Sequence, residues 1–396
     1  MNISTFHIPV GPQHPALKEP ENFTFMVDGE YVVGVKPRIG YNHRGIEKAV
    51  EDRTYIQNLY LIERICGICC IAHTFCYTQN VEYLYGKEIP RRAEFIRVIM
   101  AELNRIHSHL LWLGVAAHEI GFDTLFMYVW RDREHVMDIL EAISGNRVTY
   151  AINTIGGVRR DINDELSKKT EKVLSILEER VKYYKKVVST EPTLISRVEG
   201  IGILKPNDAI KLSAVGPTLR ASGIKSDVRA DDPHAAYDET PFNVITYDSC
   251  DVLARVLVRI DEIFESINII RYCLKHMPNG PIRIRLPRAP PMGESLSRIE
   301  APRGELIHYV NSNGTEKPYR YKVRSPTLGN ILAVCKMLTS EKDYVVHIAD
   351  IPIILASIDP CFSCTDRALK FIDVSKNKEW VLSYNQLLKY IKAKAK

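Results

Sequence analysis

The chain has 396 residues, of which 45% are hydrophobic and 26% are charged, proportions typical of a folded globular protein rather than a disordered one. Its 53 basic and 48 acidic residues give a formal net charge of +5, too small an excess to indicate nucleic acid or an anionic membrane surface as a partner. No apolar run approaches the roughly 20 residues that a membrane-spanning helix needs. The first residues also lack the basic and apolar regions of a secretory signal. We therefore expect a reducing compartment, where the nine cysteines are metal ligands or packing residues rather than disulfides.

Apolar periodicity predicts the elements in chain order. Alternation over 23–33 around Asp28-Gly29 predicts a β-hairpin. Three- and four-residue spacing predicts helices that begin near Arg91 and that cover 171–188, 252–277 and 328–338. The stretch 226–247 reads as an ordered loop, a second hairpin fits 305–310 with 319–323, and the apolar run 345–358 resembles a strand.

No linker-like composition divides the chain. We predict an α+β fold that is mainly α, with one large helical domain and small β-hairpins. Residues 1–50 would form a hairpin region packed on the main domain, residues 51–367 the catalytic helical domain, and residues 368–396 a C-terminal tail.

Four of the cysteines form two Cys-x-x-Cys pairs, Cys66 with Cys69 and Cys361 with Cys364. This spacing lets two thiolates from one turn face a common ion, and Gly67 relieves crowding in the first turn. Four thiolates make a soft site suited to nickel, iron, zinc or an iron–sulfur cluster.

The distance between the two pairs bears on which of these is bound. Cys69 and Cys361 are 292 residues apart (361 − 69), whereas zinc ribbons bring their pairs from within about 15–20 residues. A site that joins both ends of a large domain favours a buried redox centre. A structural zinc, or two pairs that never meet, are the alternatives. Cys273 and Cys335 lie in predicted helices and read as small packing residues.

The words around the cysteines resemble those of a known family. Arg64-Ile65-Cys66-Gly67-Ile68-Cys69 and Asp359-Pro360-Cys361 through Arg367 look like the paired signatures of the [NiFe]-hydrogenase large subunit. Two further motifs, at 11–15 and 156–161, are shared with the quinone-site subunit of respiratory complex I. The combination resembles the energy-converting, membrane-bound branch of the family (Ech-like and Mbh-like enzymes), and it covers about residues 11–367.

The resemblance implies a hydrogenase that interconverts dihydrogen with protons and electrons at a Ni-Fe centre. Cys66 and Cys361 would be terminal nickel ligands, and Cys69 and Cys364 would bridge nickel and iron. Carbonyl and cyanide ligands would complete the iron shell.

The resemblance also implies four residues around the metals. Arg303 would overhang the open metal position, with Asp359 as its partner, although Asp359 before a proline also fits an ordinary turn. His73 would hydrogen-bond near a bridging thiolate. Glu19 would relay protons, with Glu21 as the competing assignment.

Glu47 resembles a family glutamate that binds a structural magnesium together with a histidine three residues after the last cysteine. Arg367 occupies that second position here. Arginine cannot ligate a cation, so a Glu47–Arg367 ion pair is the alternative to magnesium.

Several partners follow from the resemblance. This chain has no spare cysteine motif for iron–sulfur clusters, so an iron–sulfur small subunit would carry the electrons. Integral membrane, ion-translocating subunits would hold the chain peripherally on the cytoplasmic face of the cell membrane. Maturation proteins would load the metals. The resemblance also implies an endopeptidase that would remove the tail after Arg367.

Other functions fit parts of the pattern. A complex I-like subunit for quinone reduction would not need the four thiolates. A structural subunit would hold a four-cysteine zinc, and a related complex would reduce a sulfur species.

Overall fold

The computed structural model describes residues 5–365 and the strands Leu369–Asp373 and Lys378–Leu382. Helices dominate the described part, and they are, in chain order, α1 (Ile46–Glu51), α2 (Tyr55–Glu63), α3 (Cys70–Tyr85), α4 (Arg91–Ile120), α5 (Asp123–Ser144), α6 (Asp164–Thr190), α7 (Pro192–Ile195), α8 (Pro206–Lys211), α9 (Pro217–Arg220), α10 (Val228–Asp231), α11 (Val252–His276), α12 (Pro326–Met337) and α13 (Ile351–Ser357). The strands are β1 (Phe6–Val10), β2 (Asn22–Asp28), β3 (Tyr31–Arg38), β4 (Asn153–Thr154), β5 (Gly157–Val158), β6 (Gly293–Ala301), β7 (Gly304–Ser312), β8 (Arg320–Arg324), β9 (Leu369–Asp373) and β10 (Lys378–Leu382).

An antiparallel sheet β1-β2-β3 opens the chain. Asp28 pairs with Tyr31 across a two-residue turn, and Gly29 has the positive φ of +60° that such a turn favours. Phe23 and Phe25 alternate inward and are fully buried. The loop between β1 and β2 carries Glu19, and the sheet thereby anchors that loop.

The helical body is built around α4, whose apolar side chains are buried along most of its 30 residues. It packs against α5, α11, α3 and α13. A helix that buries nearly every face forms the centre of a bundle rather than its surface. This arrangement places the start of α3 and the end of α13 on the same side of α4.

A second antiparallel sheet, β6-β7-β8, packs on α3. Ala301 pairs with Gly304, so Pro302 and Arg303 form the tight turn between β6 and β7. Gly304 has a φ of +126°, and a Cβ there would lie 2.8 Å from the backbone nitrogen of Gly216. This close approach of two backbones fixes the turn that carries Arg303.

The structure confirms the predicted α+β, mainly α class, both hairpins and the four helices. The stretch 226–247 is a loop apart from two short helical turns. The strand predicted within 345–358 is wrong, because residues Ile351–Ser357 form α13 with Pro352 in its first turn. A short apolar run buried on all sides does not distinguish a strand from a helix by its periodicity.

Within the described residues, no helix combines the length and the apolar character of a membrane span. The boundaries at residues 50 and 367 stay predictions. The predicted tail includes β9 and β10, which pair with each other, while Arg367 lies outside the described residues.

Candidate metal centre

The two cysteine pairs lie on turns next to helix ends. Cys66 is in the loop after α2, and Cys69 directly precedes α3. The backbone amides of Ile68 and Cys69 lie 3.4 and 3.3 Å from the Cys66 sulfur and donate to it. Amides at the start of a helix favour a negative sulfur.

The second pair brackets a 3-10 turn, Phe362–Cys364, that follows α13. The backbone amide of Cys361 donates to the Thr327 hydroxyl at the start of α12, over 3.0 Å. The backbone amide of Cys364 donates to the carbonyl of Cys361 over 3.1 Å. The turn is therefore held both by itself and by α12.

The fold brings the four thiols together in the interior. The Cys361 sulfur lies 2.8 Å from that of Cys364 and 3.5 Å from that of Cys66. The sulfurs of Cys66, Cys69 and Cys364 all lie within 4.8 Å of one another. None of the four residues is more than 7% exposed. The two pairs thus meet, and the alternative of two unrelated pairs is excluded.

The charge of this cluster depends on what it binds. Hydrogen bonds from the Cys361, Cys364 and Cys69 thiols lower the pKa of Cys66 well below its ordinary value. The pKa of Cys364 is raised well above the ordinary value of a thiol, first by hydrogen bonds with Cys361, Cys66 and Cys69 and then by burial. A buried group of four sulfurs therefore becomes four thiolates only beside a cation.

Arg303 and Asp359 pair directly beside the thiols. The Arg303 Nε donates to the main-chain oxygen of Asp359 over 2.7 Å, and its Nη2 donates to Oδ1 over 3.0 Å. Both residues are buried. Asp359 also has a turn conformation, with a φ of +52°. It therefore pairs with Arg303 and at the same time forms part of a turn before Pro360. Among the described residues, the Nη1 of Arg303 has no hydrogen-bond partner.

His73 lies on α3, with its Nε2 3.9 Å from the Cys364 sulfur. Its Nδ1 is 3.2 Å from the Nε2 of His308 on β7. Both histidines are buried. His73 therefore faces one cysteine on one side and a second histidine on the other.

The two candidate glutamates occupy different surroundings. The Glu19 carboxylate accepts hydrogen bonds from the backbone amide of Ser363, over 2.9 Å, and from its hydroxyl. Glu21 is fully buried, and its burial, with the charge of Glu19, raises its pKa to about 8 against the lowering effect of the Gly40 backbone. Glu19 thus contacts Ser363 within the cysteine turn, whereas Glu21 interacts with Thr365, the residue after that turn.

Glu47 is used by the protein itself. Its carboxylate accepts a hydrogen bond from the backbone amide of Val323, over 3.0 Å, and forms an ion pair with Lys322 at 2.5 Å. The predicted partner Arg367 lies outside the described residues. The magnesium and the Glu47–Arg367 ion pair both stay predictions.

Sequence reasoning missed two residues that hold the cysteine segments in place. The guanidinium of Arg44 donates to the carbonyls of Arg64, Ile65 and Ser363, over 2.9, 2.6 and 2.8 Å. It therefore joins the first cysteine segment to the second. Thr327, which holds the Cys361 amide, is the other. Carbonyl acceptors leave no pattern in a sequence, so nothing in the sequence indicated this role of Arg44.

A cavity of about 330 Å³ adjoins the thiol cluster at Cys361. Its wall is mainly apolar and includes Trp112 and Trp130. Its lining also includes Glu19, Arg303 and Cys361. The cavity therefore offers a small, uncharged molecule an apolar space beside Cys361 and Arg303.

These residues fit a soft metal centre. Four buried sulfurs can hold nickel and iron, and the unpartnered Nη1 of Arg303 offers a donor to a ligand on the metal. The same four sulfurs also fit zinc, because zinc accepts four thiolates in a tetrahedral arrangement.

Two family models match the chain. The model described as "Respiratory-chain NADH dehydrogenase, 49 Kd subunit" matches residues 119–289 and 286–367, and "Nickel-dependent hydrogenase" matches residues 44–190. The first match contains the second cysteine pair, and the second match contains the first pair.

Similar proteins extend over nearly the whole chain. "Membrane-bound hydrogenase subunit alpha" of Pyrococcus furiosus is 42% identical, over 96% of this chain and 91% of its own length. "Carbon monoxide-induced hydrogenase" of Rhodospirillum rubrum is 40% identical, over 92% of this chain and 100% of its own length. An NADH-quinone oxidoreductase subunit of Rhizobium etli is 37% identical, over 93% of this chain and 96% of its own length.

A solved structure shares the fold as well. A chain of the membrane-bound sulfane sulfur reductase, an archaeal respiratory membrane complex, superposes with a TM-score of 0.86 at 32% identity. The match covers 93% of this chain and 100% of that one. The chain therefore belongs to the oxidoreductase family that contains the large subunits of nickel-dependent hydrogenases and the 49 kDa subunits of respiratory-chain NADH dehydrogenases.

Proposed function

We propose that this chain is the catalytic subunit of a membrane-bound, energy-converting [NiFe] hydrogenase. The observation that carries the proposal is the meeting of four buried cysteine sulfurs from the two ends of the domain, directly beside Arg303. A structural zinc does not need the buried arginine with its unpartnered Nη1 or an apolar cavity beside Cys361.

The residues that would hold the metals are the four cysteines: Cys66 and Cys361 would bind nickel, and Cys69 and Cys364 would bind nickel and iron. When bound, the Ni-Fe centre, with carbonyl and cyanide on its iron, supplies heterolytic cleavage and formation of dihydrogen. The protein's own task is then to admit the gas, to handle the proton and to pass electrons on.

The apolar cavity supports the first task. Dihydrogen is small and uncharged, so an apolar wall admits it while the buried surroundings exclude bulk water. Arg303 lines this cavity together with Cys361. We propose that Asp359 fixes the orientation of the Arg303 guanidinium through two hydrogen bonds, so that its free N–H group is directed at the open metal position.

Glu19 supports the second task. It contacts Ser363, which lies between Cys361 and Cys364, and it also lines the cavity. A carboxylate at this position can take a proton from a cysteine sulfur and release it to the outside, and can return one in the reverse reaction. Glu21 is fully buried and makes no hydrogen bond to Ser363 among the described residues, so it is the second choice for this role.

Electrons must leave through another protein of the complex. We propose an iron–sulfur partner that docks near the cysteine site, and integral membrane partners that hold the chain peripherally on the cytoplasmic face. The similarity to proteins whose names place them in membrane-bound complexes supports this. We expect the chain to co-purify with both kinds of partner, and a fully active, isolated chain from cells that lack them would contradict the proposal.

A second candidate is the reduction of a sulfur species at the same four sulfurs. The similarity to the sulfane sulfur reductase, at a TM-score of 0.86, favours it. Quinone reduction, suggested by the NADH-quinone oxidoreductase relatives, is weaker because a quinone site does not require four thiols.

The purified complex separates these functions. We expect about one nickel and one iron per chain, together with exchange between deuterium gas and water protons. Replacement of Cys69 by alanine should abolish the exchange and release nickel. Replacement of Cys335, a half-buried packing residue on α12, should cost only on the order of 1 kcal/mol of stability.

The alternatives give other results. Reduction of polysulfide without isotope exchange would support the sulfur function instead. Zinc in place of nickel and iron, with neither activity, would contradict both proposals.

A further inference from the structure

Three buried side chains form one hydrogen-bonded chain that ends at Cys364. The Tyr321 hydroxyl on β8 is 2.5 Å from the Nδ1 of His308 on β7. The Nε2 of His308 is 3.2 Å from the Nδ1 of His73, and the Nε2 of His73 is 3.9 Å from the Cys364 sulfur. Tyr321 and His308 have no exposed surface.

The direction of the first bond follows from the surroundings of Tyr321. Within the described part of the chain, the Nδ1 of His308 is the only hydrogen-bond partner of this hydroxyl. If the hydroxyl accepted a hydrogen bond from that nitrogen, its own hydrogen would be buried without an acceptor, which is costly. The Tyr321 hydroxyl therefore donates, and the Nδ1 of His308 accepts.

This direction is passed along the two histidines. Burial lowers the pKa of His308 well below its ordinary value, so the ring is neutral and carries one proton. With Nδ1 accepting, that proton is on Nε2 and is donated to the Nδ1 of His73. The proton of His73 is then on its Nε2, which faces Cys364.

We propose that His308 and Tyr321 are positioning residues that fix the tautomer of His73, so that its Nε2–H is directed at the sulfur of Cys364. The inference rests on the proposed function for its purpose, since a donor to a ligating sulfur adjusts how strongly that sulfur donates to a metal. The tautomer itself follows from this chain's own residues.

Packing keeps the chain of bonds in place. The Asn80 side chain donates to the main-chain oxygen of His308 over 2.8 Å. The ring of Tyr321 stands edge-on to the rings of His308 and Tyr77, with centroids 5.6 and 5.8 Å apart. A proton route is disfavoured, because in the described residues no donor or acceptor continues the chain beyond Tyr321.

The test uses ¹⁵N NMR on the full chain, labelled at histidine and purified without nickel. We expect His73 to show a protonated Nε2 and an unprotonated Nδ1. In Tyr321→Phe, His308 can place its proton on either ring nitrogen. The ¹⁵N chemical shifts of Nδ1 and Nε2 of His73 should therefore move toward each other. Tyr77→Phe is the matched control. It removes a hydroxyl that donates to the main-chain oxygen of Tyr55 and leaves His308 untouched.

Two further variants separate positioning from packing. His308→Gln keeps an N–H group where Nε2 lies and should preserve the His73 tautomer, whereas His308→Leu should lose it. Cys364→Ala should leave the tautomer unchanged, because Tyr321 sets it from the other end.

The inference is overturned if the unaltered chain carries its His73 proton on Nδ1. Unchanged His73 signals in Tyr321→Phe, or a switched tautomer in Cys364→Ala, would overturn it too. These ¹⁵N signals do not depend on nickel or iron. The tautomer of His73 can therefore be measured even if the proposed hydrogenase function is wrong, and the two failures can be told apart.

Discussion

The carboxylate of Glu19 accepts hydrogen bonds from both the backbone amide and the hydroxyl of Ser363, a residue 344 positions later in the chain. The contact joins the loop between the first two strands to the turn that carries Cys361 and Cys364. A titratable group thus touches the cysteine turn from the side of the cavity.

Replacement of Glu19 by glutamine removes the titratable carboxylate and keeps its size. We expect nickel and iron to be retained while hydrogen evolution falls by roughly two orders of magnitude or more, as for the loss of an acid–base group. Glu21→Gln is the matched control and should keep most of the activity. If Glu21→Gln lost hydrogen evolution and Glu19→Gln kept it, the proton-transfer role would belong to Glu21 instead.

Replacement of Arg303 by lysine keeps the charge and loses the planar fork. Arg303 bonds the main-chain oxygen and Oδ1 of Asp359 through two different nitrogens and keeps a third, Nη1, without a partner among the described residues. An ammonium has all its N–H groups on one nitrogen and cannot reproduce this planar spacing. We expect turnover to fall roughly 100-fold, as for the loss of a positioned donor. Arg298→Lys, in an ion pair at the surface with Asp232, serves as the control. Equal turnover in the two variants would show that the fork is dispensable.

Arg44 should matter for assembly of the site. Arg44→Met removes the three hydrogen bonds that join the two cysteine segments. We expect the free energy of unfolding to fall by about 2 kcal/mol, and nickel to be lost more readily during dialysis. Arg53→Met, which removes an exposed hydrogen bond within one helix end, is the control. Matching nickel retention in both variants would refute this tether.

Glu21 predicts a pH dependence of stability. Its pKa is raised, chiefly by burial, from 4.5 to about 8. Between these values the folded protein keeps a proton that the unfolded chain releases. The free energy of unfolding should therefore fall as the pH rises through this window, with a slope that approaches about 1.4 kcal/mol per pH unit from this group.

Urea unfolding of Glu21→Gln at several pH values measures that contribution. The variant is uncharged at every pH, so its stability should fall less between pH 4.5 and 8 than that of the unaltered chain. Glu88→Gln, at an exposed position, should keep the original slope. An unchanged slope in Glu21→Gln would mean that the carboxyl titrates at its ordinary pKa.

Much of the fold was predictable because its signals are local. The apolar stripe of α11 and the Asp28-Gly29 turn depend on neighbours within a few residues. The segment Ile351–Ser357 was misread because burial on all sides removes the amphipathic pattern. Strand β6 was missed, although its partner β7 was found.

The site was predictable where side-chain type carries the chemistry, as it does for the cysteines. That the two pairs meet is a property of the fold, since no local rule brings Cys69 to Cys364. Arg44 and Thr327 were missed because they act on backbone groups far away in the sequence. His308 and Tyr321 were missed because single buried polar residues on strands carry no spacing signal.

An infrared spectrum of the purified complex in the metal-carbonyl and cyanide region tests the central claim most directly. We predict bands from both ligands, in protein that holds nickel and iron at Cys66, Cys69, Cys361 and Cys364, and loss of those bands when Cys69 is replaced by alanine. A spectrum without carbonyl and cyanide bands, from protein whose four cysteines are filled with zinc, would contradict it.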